Sequence, residues 1–298
     1  MHPNDTYECF AHHMGLWALE PTRLRHLVWM AQQGLYPERL RAWADERQPR
    51  AAIEQPRFIR GDNGVAIIRL IGPMSKGVSK FTDTSTIQVR QALRAAVSDE
   101  QVRSVMLVID SPGGMVAGTA ELADAVRKAD ATKPVTAYIE DLGASAAYWV
   151  ASQARRITSN RIAEIGSIGV LAVVQDTSKL AEREGVQVHV IATGPYKGAG
   201  VPGTPILPEQ LQDMESRVNT VATHFFAAVR GGRDLTSAQM SRVTDGRVFP
   251  AAEAQALGLI DGIETFDEAF AATAGMPAKR RRGQQRAEHT AARAFWET

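Results

Sequence analysis

From Ser104 to Gly114 the chain reads Ser-Val-Met-Leu-Val-Ile-Asp-Ser-Pro-Gly-Gly, and this stretch limits the fold more than any other. Ser104-Val-Met-Leu-Val-Ile109 is apolar at consecutive rather than alternate positions, so a strand built from it needs cover on both faces, as an inner parallel strand has. Parallel neighbours need crossover connections, and the helices in those connections supply the cover. Asp110-Ser-Pro-Gly-Gly114 follows directly. At the carboxyl end of a parallel strand, such a turn presents backbone N–H groups, unobstructed by Cβ, at the ligand-binding edge of an open α/β sheet. Two readings stay open at this point: an oxyanion-binding loop, or an ordinary strand-to-helix turn.

The flanking sequence supplies the rest of a layered α/β domain with right-handed crossovers. Strand patterns cover Val65–Ile71, Pro134–Ile139, Arg156–Thr158, Ala163–Ile165, Val170–Val174 and Val186–Ile191. Helical patterns cover Thr84–Val97, Ala117–Ala129, a stretch from Ser145, Ser178–Glu184, Ser237–Arg242 and Pro250–Leu257. From Pro208 to Arg230, the residues Leu211, Met214, Val218, Val221, Phe225 and Val229 keep one amphipathic stripe. Proline opens this helix, and Gly231-Gly232 is expected to end it. Gly258-Leu-Ile-Asp-Gly262 then returns the chain to a strand.

This pattern divides the chain into a helical N-terminal extension and linker over 1–60, an α/β domain over 61–274, and a basic tail over 275–298, expected to be disordered. The extension shows no strand signals; Thr22–Gln33 reads as an amphipathic helix and Arg47–Pro56 as a linker. With Trp17, Trp29 and Trp43 close together, that helix has two fates open to it: packing on its own domain or on a neighbouring subunit. In the tail, Lys279-Arg-Arg-Arg282, Arg286 and Arg293 form a solvated basic patch, with weak nucleic-acid or acidic-partner binding as the other reading.

Composition narrows the function. A net charge of +1 makes no case for a polyanionic partner, and the single cysteine, Cys9, excludes an intramolecular disulfide framework and multi-cysteine metal sites. There is no His-Glu-x-x-His pair to suggest zinc, no run of about 18 apolar residues to span a bilayer, and no signal-peptide pattern at Met1–Asp5. A soluble, intracellular protein is expected.

Asp141-Leu-Gly-Ala-Ser-Ala-Ala-Tyr-Trp-Val-Ala-Ser152 sets Ser145 at the head of an apolar helix, one crossover after the Pro-Gly-Gly turn. Taken alone, Ser145 is either a nucleophile or a small residue for tight helix packing. A nucleophile needs a base. His189 lies within a predicted strand and His224 within the long helix, so neither suits a Ser-His-Asp arrangement. Gly194-Pro-Tyr-Lys-Gly-Ala-Gly200 instead places Lys197 among glycines after the predicted strand Val186–Ile191, and residues 192–207 contain no acid. A lysine acts as base only when uncharged, which requires its pKa to fall several units from about 10.4 by desolvation. An ordinary surface lysine is the other reading.

Asp110-Ser-Pro-Gly-Gly114, Ser145 with Tyr148, Ile165-Gly-Ser-Ile-Gly169, Tyr196-Lys197-Gly198 and Gly246-Arg-Val-Phe followed by Ala256-Leu-Gly-Leu-Ile-Asp261 occur in this order. Together they resemble the signal peptide peptidase A family of serine proteases over about residues 64–272. The resemblance implies a Clp/crotonase-like layered parallel sheet with flanking helices, a Ser/Lys dyad on Ser145 and Lys197, and Ser167 as the residue that orients the lysine. It also implies an oxyanion donor at Gly114, with Gly113 as its alternative; Ala146 is the second donor expected from geometry. No cofactor or metal is implied. The chain has Ser145-Ala-Ala-Tyr148 where the family often has Ser-Gly-Gly-Tyr, and it shows no membrane anchor.

A Trp-rich prelude and a basic tail without an anchor look most like the capsid-assembly (prohead) proteases of tailed phages. That likeness implies protein or peptide substrates, among them scaffold, portal and capsid proteins, a homo-oligomer, and a place in the host cytoplasm or inside the prohead. The other readings are a soluble bacterial signal-peptide-peptidase-like protease, a crotonase-like acyl-CoA enzyme, and a structural head component without proteolytic activity.

Overall fold

A computed structural model describes residues 17–19, 58–77 and 84–277. The helix expected over Thr22–Gln33, the linker over Arg47–Pro56 and nearly all of the basic tail lie outside the described residues. The strands are β1 (Trp17–Leu19), β2 (Ile59–Arg60), β3 (Val65–Ile71), β4 (Met74–Ser75), β5 (Thr84–Ser85), β6 (Ser104–Ser111), β7 (Gly113–Met115), β8 (Val135–Ala144), β9 (Arg156–Ser159), β10 (Glu164–Gly166), β11 (Val248–Pro250) and β12 (Gly262–Ile263). The helices are α1 (Thr86–Ser98), α2 (Thr119–Thr132), α3 (Ala146–Ala151), α4 (Ser178–Arg183), α5 (Pro208–Arg233), α6 (Ser237–Val243), α7 (Ala251–Ala256) and α8 (Phe266–Ala274).

The main sheet runs β11-β10-β8-β6-β3-β2, with β9 also on β8 and β12 on β9. β6 pairs in parallel with β3 and β8, as the uninterrupted apolar run requires. Its side chains divide between two cores. Val105, Leu107 and Ile109 enter the larger one with Val89 and Leu93 of α1 and Leu122 and Val126 of α2, while Met106 and Val108 meet Tyr138 and Ala269 on the opposite face. Phe266 and Phe270 of α8 pack against this second cluster. Burying one such aliphatic side chain stabilises the fold by about 1.5–3 kcal/mol. The mixed α/β architecture, with a parallel-dominated sheet and flanking helices, is the one the sequence predicts.

A smaller sheet, β1-β7-β4-β5, grows from the carboxyl end of β6. It contains a strand that the sequence does not announce, since Trp17–Leu19 pairs antiparallel with Gly113–Met115 although the 1–60 extension and linker show no strand signals. Three apolar residues are too few to show a period, so only pairing reveals them. β2 adds a second short strand at Ile59–Arg60.

Three other expectations are corrected. Val170–Val174 and Val186–Ile191 do not form strands; apart from an isolated bridge at Leu171 they run as irregular backbone within an outlying arm over residues 171–207. Val173, Val174, Val186, Val188, Val190 and Ile191 are exposed, Ile191 at 99%. Their β-branched side chains suit a pleated surface, but strand structure needs a ladder, and the described residues offer the arm none. Next, α5 continues through Gly231-Gly232 to Arg233. A Cβ at position 232 would lie 2.0 Å from the Ser152 carbonyl oxygen, so the glycine there permits close approach to the end of α3 rather than stopping the helix. Finally, the return strand shrinks to Gly262–Ile263, paired with β9.

Candidate active site

Three parallel strands end together. Ser111 of β6 stands opposite Gly143 of β8, and Ala144 of β8 stands opposite Gly166 of β10. Between Ile139 and Gly143, β8 bulges against the two-residue step from Ile109 to Ser111. The next residues along these chains are the predicted ones: Gly113 and Gly114 after β6, Ser145 and Ala146 after β8, and Ser167 after β10. This common carboxyl edge is where open α/β sheets carry their sites.

Ser145 caps α3 with φ 53° and ψ −119°, outside the regions an L-residue favours. Such a conformation costs on the order of 1–3 kcal/mol and persists only where its surroundings impose it. Here the Ser145 N–H donates to the Gly166 carbonyl at 2.7 Å, and its carbonyl accepts from the Trp149 N–H at 2.9 Å. The Ser145 side chain makes no capping hydrogen bond, although serine at a helix start usually does. Every residue of α3 is buried behind it. Ser167 lies one step beyond Gly166, also with a positive φ of 48°, and its N–H donates to the Arg247 carbonyl at 2.7 Å. Since β11 pairs with β10, the Gly246-Arg-Val-Phe249 motif acts as the clamp on Ser167. The two serines are thus buried neighbours that share a positive φ.

The glycine turn is used at both positions. Gly113 has φ 94°, and its N–H donates to the Ser111 hydroxyl at 3.2 Å, which in turn donates to the Gly72 carbonyl. Gly114 is needed for closeness, because a Cβ there would stand 2.0 Å from the Met74 carbonyl oxygen. The Ala146 N–H belongs to the first turn of α3, where a helix supplies no acceptor of its own. α3 packs directly against β7 and α2.

Lys197 is placed differently. It is exposed on the outlying arm, whereas Ser145 and Ser167 are buried at 1% and 4% exposure, and no hydrogen bond among the described residues joins the lysine to either. His189 is exposed on the same arm and His224 is exposed on α5, so among the described residues no histidine replaces it.

Supports behind the site were only partly legible. The buried Tyr148 hydroxyl donates to the Leu259 carbonyl at 2.8 Å, and burial pushes its pKa up, keeping it a donor. Trp149 stacks on Phe225 of α5, with ring centroids 4.7 Å apart. Asp261 accepts from the Ile157 N–H at 2.7 Å and forms a two-pronged pair with Arg233. Burial alone would lower the Arg233 pKa, but the Asp261 carboxylate raises it overall. The Ala256–Asp261 motif is therefore a brace tying β9 and α5 to α3; in the sequence Asp261 is only an acid after an apolar pair.

Residues 127–277, half of the chain, match the sequence model for Peptidase family S49, and that span holds Ser145, Ser167 and Lys197. The chain belongs to peptidase family S49. Among S49-like relatives, the capsid assembly protease C of Escherichia phage lambda is 29% identical over 220 residues, covering 72% of this chain and 50% of the lambda protein. Protease 4 of Salmonella typhi is 32% identical over 197 residues, or 64% of this chain and 30% of that protein. The chloroplastic serine protease SPPA of Arabidopsis thaliana is 28% identical over 216 residues, or 71% of this chain and 32% of that protein. The chain spans half the length of the lambda protein and about a third of the other two. Among the described residues no helix is long and apolar enough to cross a membrane.

Proposed function

We propose that the chain is a serine endopeptidase with Ser145 as nucleophile and Lys197 as general base. The observation carrying this reading is the enforced backbone of Ser145, a strained serine freed from capping at the common end of three parallel strands, beside a glycine turn. Uncharged Lys197, oriented by Ser167, takes the Ser145 Oγ proton as Oγ bonds to the peptide carbonyl carbon. The resulting oxyanion rests on the Gly114 N–H, with Ala146 N–H as second donor; Gly113 is the weaker candidate because its N–H already serves Ser111. Collapse breaks the C–N bond, and the leaving amine takes the proton from Lys197. Water, deprotonated by the same lysine, then releases the acyl group from Ser145.

The dyad closes between copies of the chain. Lys197 sits on an arm whose valines and isoleucine are exposed, and packing that arm on another copy would bury them and strip water from the lysine, favouring its uncharged form. A homo-oligomer is the working enzyme in this reading. Its substrates are phage head proteins such as scaffold, portal and capsid subunits, encountered in the host cytoplasm or prohead; the lambda relative's name and its 72% coverage of this chain support that assignment. The likeness to Protease 4 favours cellular protein substrates as the second reading.

Intact mass spectrometry of the chain co-expressed with candidate head proteins tests both parts. Cleavage by wild type and none by Ser145→Ala is expected; cleavage by both would remove Ser145 from the mechanism, and cleavage of unrelated proteins alone would remove the head assignment.

A further inference from the structure

β7 carries the proposed oxyanion donor, and its two edges are filled by unlike parts of the chain. On one side lies β4, with Met74 opposite Gly114 in parallel register. β4 follows β3 after only Gly72 and Pro73 and belongs to the folded domain. On the other side lies β1, antiparallel, with Trp17 opposite Met115, Ala18 opposite Gly114 and Leu19 opposite Gly113. Residues 20–58 intervene between β1 and β2, so β1 reaches this edge from far along the chain. Without β1, β7 would be an edge strand whose unpaired N–H and C=O groups form a template for an extended peptide. An endopeptidase needs such a template beside its oxyanion donor, because the scissile carbonyl is delivered along an extended backbone.

Resting on the reading of Ser145 and Gly114 above, we infer that Trp17–Leu19 is a tethered occupant of the substrate strand: the chain's own N-terminal segment pairs with β7 in the place of substrate and leaves before a peptide binds. The register also describes the peptide class that replaces it. It is an extended segment antiparallel to β7, with a small residue opposite Gly114 flanked by bulky apolar ones, as Ala18 is flanked by Trp17 and Leu19. A strand tethered within its own chain acts at an effective concentration on the order of millimolar. Against an intrinsic affinity of about 0.1–1 mM, simple competition raises the apparent KM roughly two- to tenfold.

Proline lacks the N–H a ladder uses, and alternate residues of a strand direct their N–H groups to opposite edges. Ala18→Pro and, separately, Trp17→Pro with Leu19→Pro therefore cover both phases of β1 in the full chain. With a fluorogenic peptide of the class above, at least one of the two is expected to lower KM roughly two- to tenfold at unchanged kcat. KM unchanged or raised in both overturns the inference. A measurement on the unsubstituted chain guards against misfolded variants: binding of a leucine-rich peptide aldehyde should speed hydrogen exchange at Trp17–Leu19 as the strand is displaced, and unchanged or slower exchange also overturns it. If no protein hydrolyses the peptide or takes a fluorophosphonate at Ser145, the active-site reading falls and this inference with it; hydrolysis indifferent to β1 sinks the tethered strand alone.

Discussion

At the scale of single residues, the candidate site is a pair of buried serines with positive φ rather than a preformed dyad. Ser145 and Ser167 both hold positive φ, each through an N–H bond of 2.7 Å to a neighbouring strand or turn carbonyl. Serine gains nothing structurally from that conformation, which is why chemistry is the better explanation for it. If Ser167 orients Lys197, replacing it by alanine removes a hydrogen bond to an amine that becomes charged, worth about 1.5–3 kcal/mol, or roughly ten- to a hundredfold in kcat. KM and Tm should change little, and a large fall in Tm with kcat preserved would make Ser167 structural. The sequence reached Ser145 by its place after a strand and turn, and Ser167 only through the family resemblance. It could not show their backbone angles, since those come from the Gly166 and Arg247 carbonyls, far away along the chain.

At the scale of elements, α3 is the piece that everything else holds still. Tyr148 ties it to the Leu259 carbonyl, Trp149 stacks on α5, and Gly232 lets the end of α5 close on Ser152. Tyr148→Phe leaves a buried carbonyl without its donor and should cost about 1–3 kcal/mol. At roughly 2–4 °C per kcal/mol for a domain of this size, a thermal melt should show a fall of several degrees. A variant melting at the wild-type temperature would show that the bond carries no weight. Elements with a period long enough to count, such as α1, α2, α5 and the apolar β6, were legible in sequence. β1 was not, because its only signature is a partner across the fold, and the arm was misread for the converse reason: its β-branched runs advertise strands for which the described residues supply no ladder.

At the scale of the whole molecule, the chain buries the proposed nucleophile and exposes the proposed base. The sequence paired Ser145 with Lys197 but carried no sign that one would be buried and the other exposed, since glycines around Lys197 fit a tight site and an extended arm equally well. If the dyad forms between copies, mixing inactive Ser145→Ala with inactive Lys197→Ala should restore activity, because mixed oligomers contain sites with both wild-type groups. No recovery at any ratio would mean that the arm folds back onto its own chain. Ile191→Glu, at the most exposed apolar residue, should shift sedimentation toward smaller species and lower activity with them; an unchanged sedimentation profile would place the interface elsewhere.

The central claim is that Ser145 is an activated nucleophile, and covalent labelling tests it most directly. The chain is treated with a fluorophosphonate, digested with trypsin and mapped by tandem mass spectrometry, beside Ser145→Ala and Lys197→Ala. One adduct on Ser145 in wild type, with labelling slowed by on the order of 10² or more when Lys197 is replaced, is the predicted result. No adduct, or an adduct on another serine that survives Ser145→Ala, would contradict it.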